Sequence, residues 1–191
     1  MLHGFCHLAS LVRILGDKII ANYQANIMSR VYSIQCIQHI PASIEEVWKF
    51  FSDPSNLKKI TPEKLDFVVI SKEQEKMYAG QIIEYTIRPL FRIPVYWMTE
   101  IMHVKEQQYF IDEQRYGPYS FWHHQHFFEE VEDGVVMKDL VHYKIPFWFI
   151  GDIANTLFVR KQLKTIFSFR FAIIANLFGN IKKSEPHIVM S

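Results

Sequence analysis

A series of segments in which apolar and polar residues alternate constrains the fold most strongly. These segments occupy residues 30–41, 65–71, 79–89, 95–104, 108–116, 119–131 and 135–146. Alternation with a period of two indicates β-strands whose two faces have different surroundings. Short connections such as "GP" and "EDG" separate the later segments, and strands joined so tightly pair antiparallel. The sequence therefore predicts a curved antiparallel sheet of about six to seven strands.

Two short helices are predicted between the first strand and the rest of the sheet. Ser43 and Glu46 have the spacing of a capping box at the start of the first helix. Apolar residues follow at helical spacing. Asp53 and Pro54 then supply an N-cap and a first-turn proline for the second helix.

The pattern becomes helical from Gly151 to about Phe178. Such a helix would be ~40 Å long, enough to cross a small domain. A sheet wrapped around one long C-terminal helix buries the apolar faces of both, which predicts an α+β helix-grip architecture. We expect one domain over residues 29–179 and a C-terminal tail over residues 180–191. Residues 1–28 are interpreted as an extension, either from a misplaced start or as a short helix.

Composition and charge exclude several classes of protein. The net charge is only +1 and basic residues form no stripe, so we expect no nucleic-acid partner. Cys6 and Cys36 are too few for a disulfide framework or a thiolate zinc site, which fits a cytoplasmic location. No apolar run reaches the ~18 residues of a membrane span. Aromatic residues make up 15% of the chain, which indicates either an aromatic core or an aromatic-lined cavity.

Three of the nine histidines lie within the segment "YSFWHHQHFFEEV". A turn centred on Asp133 and Gly134 would place His126 opposite Val141 in the last hairpin. The same register pairs Glu129 with Lys138 on the other face, and this opposite-charge pair marks the solvent side, together with His123. The inward-facing set is then Trp122, His124, His126, Phe128, Val141 and Tyr143.

The inward histidines admit three interpretations. Two imidazoles at i, i+2, with Asp139 on their face, resemble the start of a metal site, but such a site needs three or four converging ligands. No third ligand is evident, so we predict no metal and no cofactor. Acid–base catalysis by His124, His126 and Tyr143 is the enzymatic alternative. The preferred interpretation is that both histidines are polar anchors in an aromatic cavity without catalysis.

The direction in which the Glu113 and Arg115 side chains point depends on the turn that precedes the histidine segment. If Gly117 and Pro118 form a two-residue turn, both side chains point inward as an ion pair at the pocket. A bulge at Gly117 would reverse the faces and bring Asp112 inward instead. We prefer the first arrangement.

The chain also resembles a known superfamily over residues 29–178. The resemblance is carried by the following segments: "IPASIEEVWKFFSDPSNLKKITP", "MYAGQIIEYTIRPLFRIPVYWMTEI", "YFIDEQRYGPYSFWHHQHFFEEVEDGVVMKDLVHYKIPF" and "FVRKQLKTIFSFR". They are similar to the START-like, or SRPBCC, superfamily, and in particular to a bacterial subgroup of small ligand-binding proteins. The resemblance implies a helix-grip fold with a cavity for a lipid, quinone or polyketide-like molecule. Trp97 and Leu157 would join the lining residues.

The superfamily also includes cyclases, so the resemblance of the chain to it leaves a cyclase or dehydratase function open as an alternative. An interaction protein with a filled cavity is a further alternative.

The end of the long helix, "FSFRFAIIANLF", is apolar almost all round. Burial together with a partner contact is the preferred explanation, ahead of contact with a membrane surface. We expect a monomer or a homodimer.

Overall fold

The computed structural model describes residues 30–71, 76–89, 93–146, 148–179 and 187–191. Its architecture is α+β, with one antiparallel sheet and one long helix near the C-terminus, which confirms the predicted helix-grip fold. The expected extension at residues 1–28 and residues 180–186 of the expected tail lie outside the described residues.

The sheet has eight strands in the order β2-β3-β4-β5-β6-β7-β1-β8. The strands are β1 (Tyr32–Ile40), β2 (Val68–Val69), β3 (Ile82–Ile87), β4 (Val95–Lys105), β5 (Tyr109–Tyr116), β6 (Phe121–Val131), β7 (Gly134–Lys144) and β8 (His187–Met190). All pairings are antiparallel. The eighth strand exceeds the predicted number because the end of the tail pairs with the outer edge of β1, from Ile34 to Ile37.

The helices follow the predicted order. Helix α1 (Ile44–Phe51) begins with the predicted capping box, in which Ser43 and Glu46 satisfy each other's backbone N–H groups. A 3₁₀ helix at Pro54–Lys58 begins with Asp53, whose side chain accepts a hydrogen bond from the backbone N–H of Ser55. Helix α2 (Trp148–Ala154) continues through a π-helical turn (Asn155–Val159) into helix α3 (Arg160–Phe178).

Helix α3 packs on the sheet through buried apolar side chains spaced along one face. Leu163, Phe167 and Phe171 pack against β1 and β7, while Ile174 lies further along among residues of α1 and the central strands. The Gln38 side-chain amide donates to the Phe171 carbonyl oxygen at 3.1 Å, which ties β1 directly to the helix. The helix therefore covers one face of the sheet along its length.

The β6–β7 hairpin differs from the predicted register by two residues. The turn is formed by Glu132 and Asp133, so that Val131 pairs with Gly134 and His124 with Val141. Gly134 has φ +140°, and a Cβ there would meet the Ile40 carbonyl oxygen at 2.1 Å, which explains a glycine at the start of β7. Because side chains alternate with a period of two, a shift of two leaves every side chain on its predicted face.

The β5–β6 connection is one residue longer than the predicted two-residue turn, and this exchanges the faces to which the β5 side chains point. Asp112 pairs with His124 and Glu113 with His123, so Asp112 lies on the inner side with the buried histidines. The prediction that Glu113 and Arg115 point inward is therefore wrong. Their ion pair does form, at 3.3 Å, but on the outer side, where Arg115 also bonds Glu100. A shift of one residue exchanges the two faces of a strand.

The apolar end of α3 is accounted for mostly by burial. Phe171 and Ile174 are buried, and the Phe178 ring packs edge-on against Phe50 at 5.5 Å. Leu177 is exposed. None of the helices in the described parts of the chain has the length and apolar character needed to cross a bilayer.

Candidate functional site

A cavity of about 180 Å³ lies between the sheet and α3. Its walls come from the inner faces of β3 to β6, from α3, and from the segment that follows α1. Most of the wall is aromatic or aliphatic, and its aromatic members are Phe50, Phe51, Phe67, Tyr85, Trp97, Phe110, Tyr119, Trp122 and Phe167. The high aromatic content of the sequence thus serves a cavity wall as well as the core.

Four of the predicted ligand-binding residues line this cavity. They are Trp97, Trp122, His124 and His126. The rings of Trp97 and Trp122 meet edge-to-face at 5.4 Å, and the Trp97 indole N–H donates to Thr99 Oγ1 at 3.1 Å. These contacts hold both indoles in defined orientations at one end of the cavity.

The other predicted lining residues lie elsewhere. Phe128, Val141 and Tyr143 face inward as predicted, but they pack in the two core clusters. Leu157 is 60% exposed, so its predicted place in the cavity wall is wrong. Asn155, two residues earlier, is the buried side chain of the π-helical turn, and side chains two positions apart point to nearly opposite sides of a helix.

Tyr143 is held by a contact of its own. Its hydroxyl donates to Asn155 Oδ1 at 2.9 Å, and burial raises the pKa of this phenol to about 12. The side chain is 1% exposed, and the hydroxyl supports the turn between β7 and α3. Tyr143 is therefore separate from the two histidines with which it was grouped in the catalytic alternative.

One wall of the cavity is polar and buried. We call it the polar wall and define it as Asp112 on β5, His124 and His126 on β6, Asp139 on β7 and Arg170 on α3. Asp139 stands behind the histidines, whereas the other four line the cavity. The imidazole rings of His124 and His126 lie close together, with their centroids 3.7 Å apart and their planes tilted by 38°.

The two aspartates contact both imidazoles. His124 Nε2 lies 3.1 Å from Asp139 Oδ1, and His126 Nε2 lies 3.0 Å from Asp112 Oδ2. His124 Nδ1 is 3.7 Å from the same Asp112 oxygen. His126 Nδ1 lies 2.8 Å from Asp139 Oδ1, but out of line for a hydrogen bond, so this contact is electrostatic. Each carboxylate thus bridges the pair of rings.

The environment moves the pKa values of the two histidines in opposite directions. Burial, with the neighbouring His126, lowers the pKa of His124. Burial also acts to lower the pKa of His126, but its contacts with Asp112 and Asp139 outweigh burial and raise it. Burial acts to raise the pKa of Asp139, yet the two imidazoles hold it well below its usual range. The arrangement therefore makes protonation easier at His126 than at His124.

Arg170 completes the polar wall from the helix side. Its Nη1 lies 3.8 Å from Asp139 Oδ2, and its guanidinium lies over the Phe167 ring at 5.0 Å. Among the described residues, its buried Nε has no hydrogen-bond partner. Arg170 therefore has donor capacity beside the cavity that the described protein atoms leave unused.

The sequence interpretation missed Asp112 and Arg170 as functional candidates. Asp112 was named only in the alternative register. Arg170 carried a readable signal, because it is the one charged residue in the apolar segment "FSFRFAIIANLF" and follows Phe167 at the i, i+3 spacing of one helix face. A charge on the buried face of a helix usually has a buried partner, here Asp139.

No protein-family model and no curated protein matches the sequence. Solved structures do match. Protein CV1439 from Chromobacterium violaceum superposes with a TM-score of 0.60 and 10% identity, over 78% of this chain and 98% of that chain. Protein TTHA0849 from Thermus thermophilus superposes with a TM-score of 0.59 and 15% identity, over 76% of this chain and 98% of that chain.

A plant protein has a similar structure. Ginseng major latex-like protein 151 from Panax ginseng superposes with a TM-score of 0.57 and 10% identity, over 78% of this chain and 97% of that chain. At such identities the shared property is the fold. The chain is therefore a helix-grip protein, and its sheet and helix enclose a cavity with one polar wall.

We expect Asp139→Asn to lower the free energy of unfolding by about 3 kcal/mol or more, because removing one partner of a buried ion pair leaves the other charges uncompensated. The matched control is Glu113→Gln on the outer face of β5, where the side chain is 27% exposed. The control should lose no more than about 1 kcal/mol, as is usual for exposed pairs. Urea unfolding measures both, and equal losses would contradict the structural importance of Asp139.

Proposed function

We propose that the protein binds a small apolar or amphipathic molecule in the cavity between the sheet and α3. The observation that carries the proposal is the cavity itself, about 180 Å³ with an aromatic wall and a single polar wall. Small-molecule sites are typically of this kind, mostly apolar with a few placed polar groups that orient the ligand. A core that served stability alone would be filled to close packing.

The aromatic wall would supply most of the binding free energy. Apolar surface removed from water contributes about 25 cal/mol per Å². Trp97 and Trp122 are already held by ring contacts and by the Thr99 hydrogen bond, so ligand binding loses little entropy in ordering them. The wall is thus suited to the apolar part of a ligand.

The volume limits the size of the ligand. Pockets for drug-sized molecules are roughly 300–1,000 Å³, and this cavity is smaller, at about 180 Å³. The ligand is then either a short-chain or single-ring molecule, or a longer one of which only part enters the cavity. Lipid-like, quinone-like and polyketide-like molecules all have parts of this size and character.

The polar wall would orient the other end of the ligand. Arg170 lines the cavity, its Nε has no partner among the described residues, and a guanidinium donor suits a carboxylate or another anionic oxygen. The contacts of His126 with Asp112 and Asp139 raise its pKa, so this ring adds a second potential hydrogen-bond donor to the same wall. An amphipathic ligand with an anionic or hydrogen-bond-accepting head fits this arrangement better than a pure hydrocarbon.

The resemblance to the START-like, or SRPBCC, superfamily supports the same proposal. Its implied cavity lies between sheet and helix, where the cavity of this chain is found. The resemblance assigns no ligand. We infer binding without catalysis as the leading function, because the described residues of the wall offer orienting groups but no evident nucleophile. Burial raises the pKa of Cys36, which lies close behind the wall, to about 12 and keeps this thiol unreactive.

Proton transfer is a second candidate function. The observation that favours it is the opposite displacement of the His124 and His126 pKa values, since neighbouring groups pushed apart in this way suit a base and an acid. Tyr143 has no part in this candidate, because its hydroxyl is engaged with Asn155. An enzyme of cyclase or dehydratase type would rely on the two histidines and Asp112.

We expect Ile83→Phe to weaken the binding of octanoate by about fivefold or more, since a larger side chain would intrude into the cavity at a cost of about 1–3 kcal/mol. Ile83 is 4% exposed and lines the cavity, whereas Ile82, its neighbour on β3, is 42% exposed on the other face. Ile82→Phe is therefore the matched control. The measurement is a titration followed by intrinsic tryptophan fluorescence, which should respond because Trp97 and Trp122 line the cavity. Equal affinities of the two folded variants, or no octanoate binding by the wild type, would count against the proposal.

We expect Arg170→Gln to remove a preference for octanoate over 1-octanol. A hydrogen bond to a charged group contributes about 1.5–3 kcal/mol, which corresponds to a preference of roughly tenfold or more in the wild type. Arg160→Gln on the exposed first turn of α3 is the control and should keep the preference. Calorimetric titration with each compound gives the ratio. An unchanged ratio in Arg170→Gln would exclude Arg170 as the headgroup contact.

A further inference from the structure

We infer that Asp112, His124 and His126 form a binding site for a divalent transition-metal ion in the polar wall of the cavity. One potential ligand atom from each residue lies within 4.8 Å of the others. The sequence argued against a metal because no third ligand converged on the two histidines, and the register of β5 supplies that ligand as Asp112. The inference does not rest on the proposed apolar ligand.

The spacing of the donor atoms fits one coordination sphere. Asp112 Oδ2 lies 3.0 Å from His126 Nε2 and 3.7 Å from His124 Nδ1. Ligands about 2.1 Å from a tetrahedral zinc ion lie roughly 3.4 Å apart, which falls between these distances. The third separation, between the ring nitrogens of His124 and His126, is also within 4.8 Å, so side-chain movements can bring the three groups onto one ion.

The sheet holds the three ligands in place. Asp112 and His124 are direct cross-strand partners on β5 and β6, and His126 follows two residues after His124 on the same face. Cross-strand neighbours and i, i+2 neighbours on one face keep their side chains close in any state that preserves the sheet. Sites built on strands are positioned more exactly than sites built on loops.

Asp139 has the position of an outer-shell partner. Metal-binding histidines usually donate their second ring nitrogen to a carboxylate, which orients the ring. His124 presents Nδ1 toward Asp112 and donates Nε2–H to Asp139 at 3.1 Å. His126 presents Nε2 toward Asp112 and has Nδ1 at 2.8 Å from the same Asp139 oxygen. One carboxylate thus stands behind both rings.

The arrangement leaves a coordination position open toward the cavity. All three ligands line the cavity, and their side chains are only 6–14% exposed. Two imidazoles and a carboxylate, with an open position, are the ligand set of catalytic zinc and of mononuclear iron sites. Calcium and magnesium prefer oxygen ligands, so this site should select against them. A ligand or water in the cavity would occupy the fourth position.

The test is calorimetric titration of the full chain, freed of metal with a chelator, with Zn²⁺ and separately with Mg²⁺. We expect one zinc ion per chain and no magnesium binding. Asp112→Asn and His126→Gln should each weaken zinc binding by more than about 100-fold, because loss of an outer-shell partner alone costs about 10–100-fold. His123→Gln, on the opposite face of β6 beside Glu113, is the matched control and should keep wild-type affinity.

The wild-type protein provides a second measurement in case a variant does not fold. X-ray absorption of the zinc-loaded wild type should count two imidazole ligands and no sulfur. Absence of stoichiometric zinc binding, an absorption spectrum without two imidazoles, or equal losses in His123→Gln and Asp112→Asn would each overturn the site. Octanoate binding that persists in the chelated protein would leave the proposed function standing while the metal site fails.

Discussion

The buried carboxylate of Asp139 is the interaction on which the rest of the site depends. It lies against both imidazoles of β6 and 3.8 Å from Arg170 on α3, so one side chain of β7 connects two strands with the helix. A buried carboxylate is costly unless it is paired and hydrogen-bonded. The pairing with His124, His126 and Arg170 offsets that cost, and Asp139 in turn helps to fix the orientation of both imidazoles in the polar wall.

The helix-grip architecture gives this cluster its setting. Antiparallel strands with short connections bring Asp112, His124 and Asp139 side by side, although they are far apart in sequence. Helix α3 then covers the sheet and adds Arg170 from above. Aromatic side chains fill the surroundings, which lowers the local dielectric and strengthens each contact within the cluster. The result is a charged and hydrogen-bonded polar wall in a mostly apolar cavity, an arrangement suited to orienting a small ligand.

Much of the fold and part of the site could be predicted from the sequence. The predicted register of the β6–β7 hairpin differs from the observed one by two residues, yet the inward-facing residues of β6 were predicted correctly. A shift by an even number of residues leaves every side chain on the same face of its strand. The faces predicted for Asp112 and Glu113 were wrong, because they depend on a difference of one residue in the length of the Gly117–Ser120 connection. No sequence periodicity specifies that length. The resemblance placed Leu157 in the cavity wall, whereas the structure buries Asn155 in the π-helical turn and leaves Leu157 exposed. Arg170 acquires its role only through a long-range partner.

The central claim is that the cavity holds a small molecule, and native mass spectrometry of the purified full chain tests it most directly. We expect a non-covalent mass addition that is lost on denaturation and is reduced in Ile83→Phe but not in Ile82→Phe. If the protein binds without catalysis, the released molecule is chemically unchanged after incubation with the protein, whereas proton-transfer catalysis would convert it. Preparations that consistently show the bare polypeptide mass, with no addition on exposure to octanoate, would contradict the account.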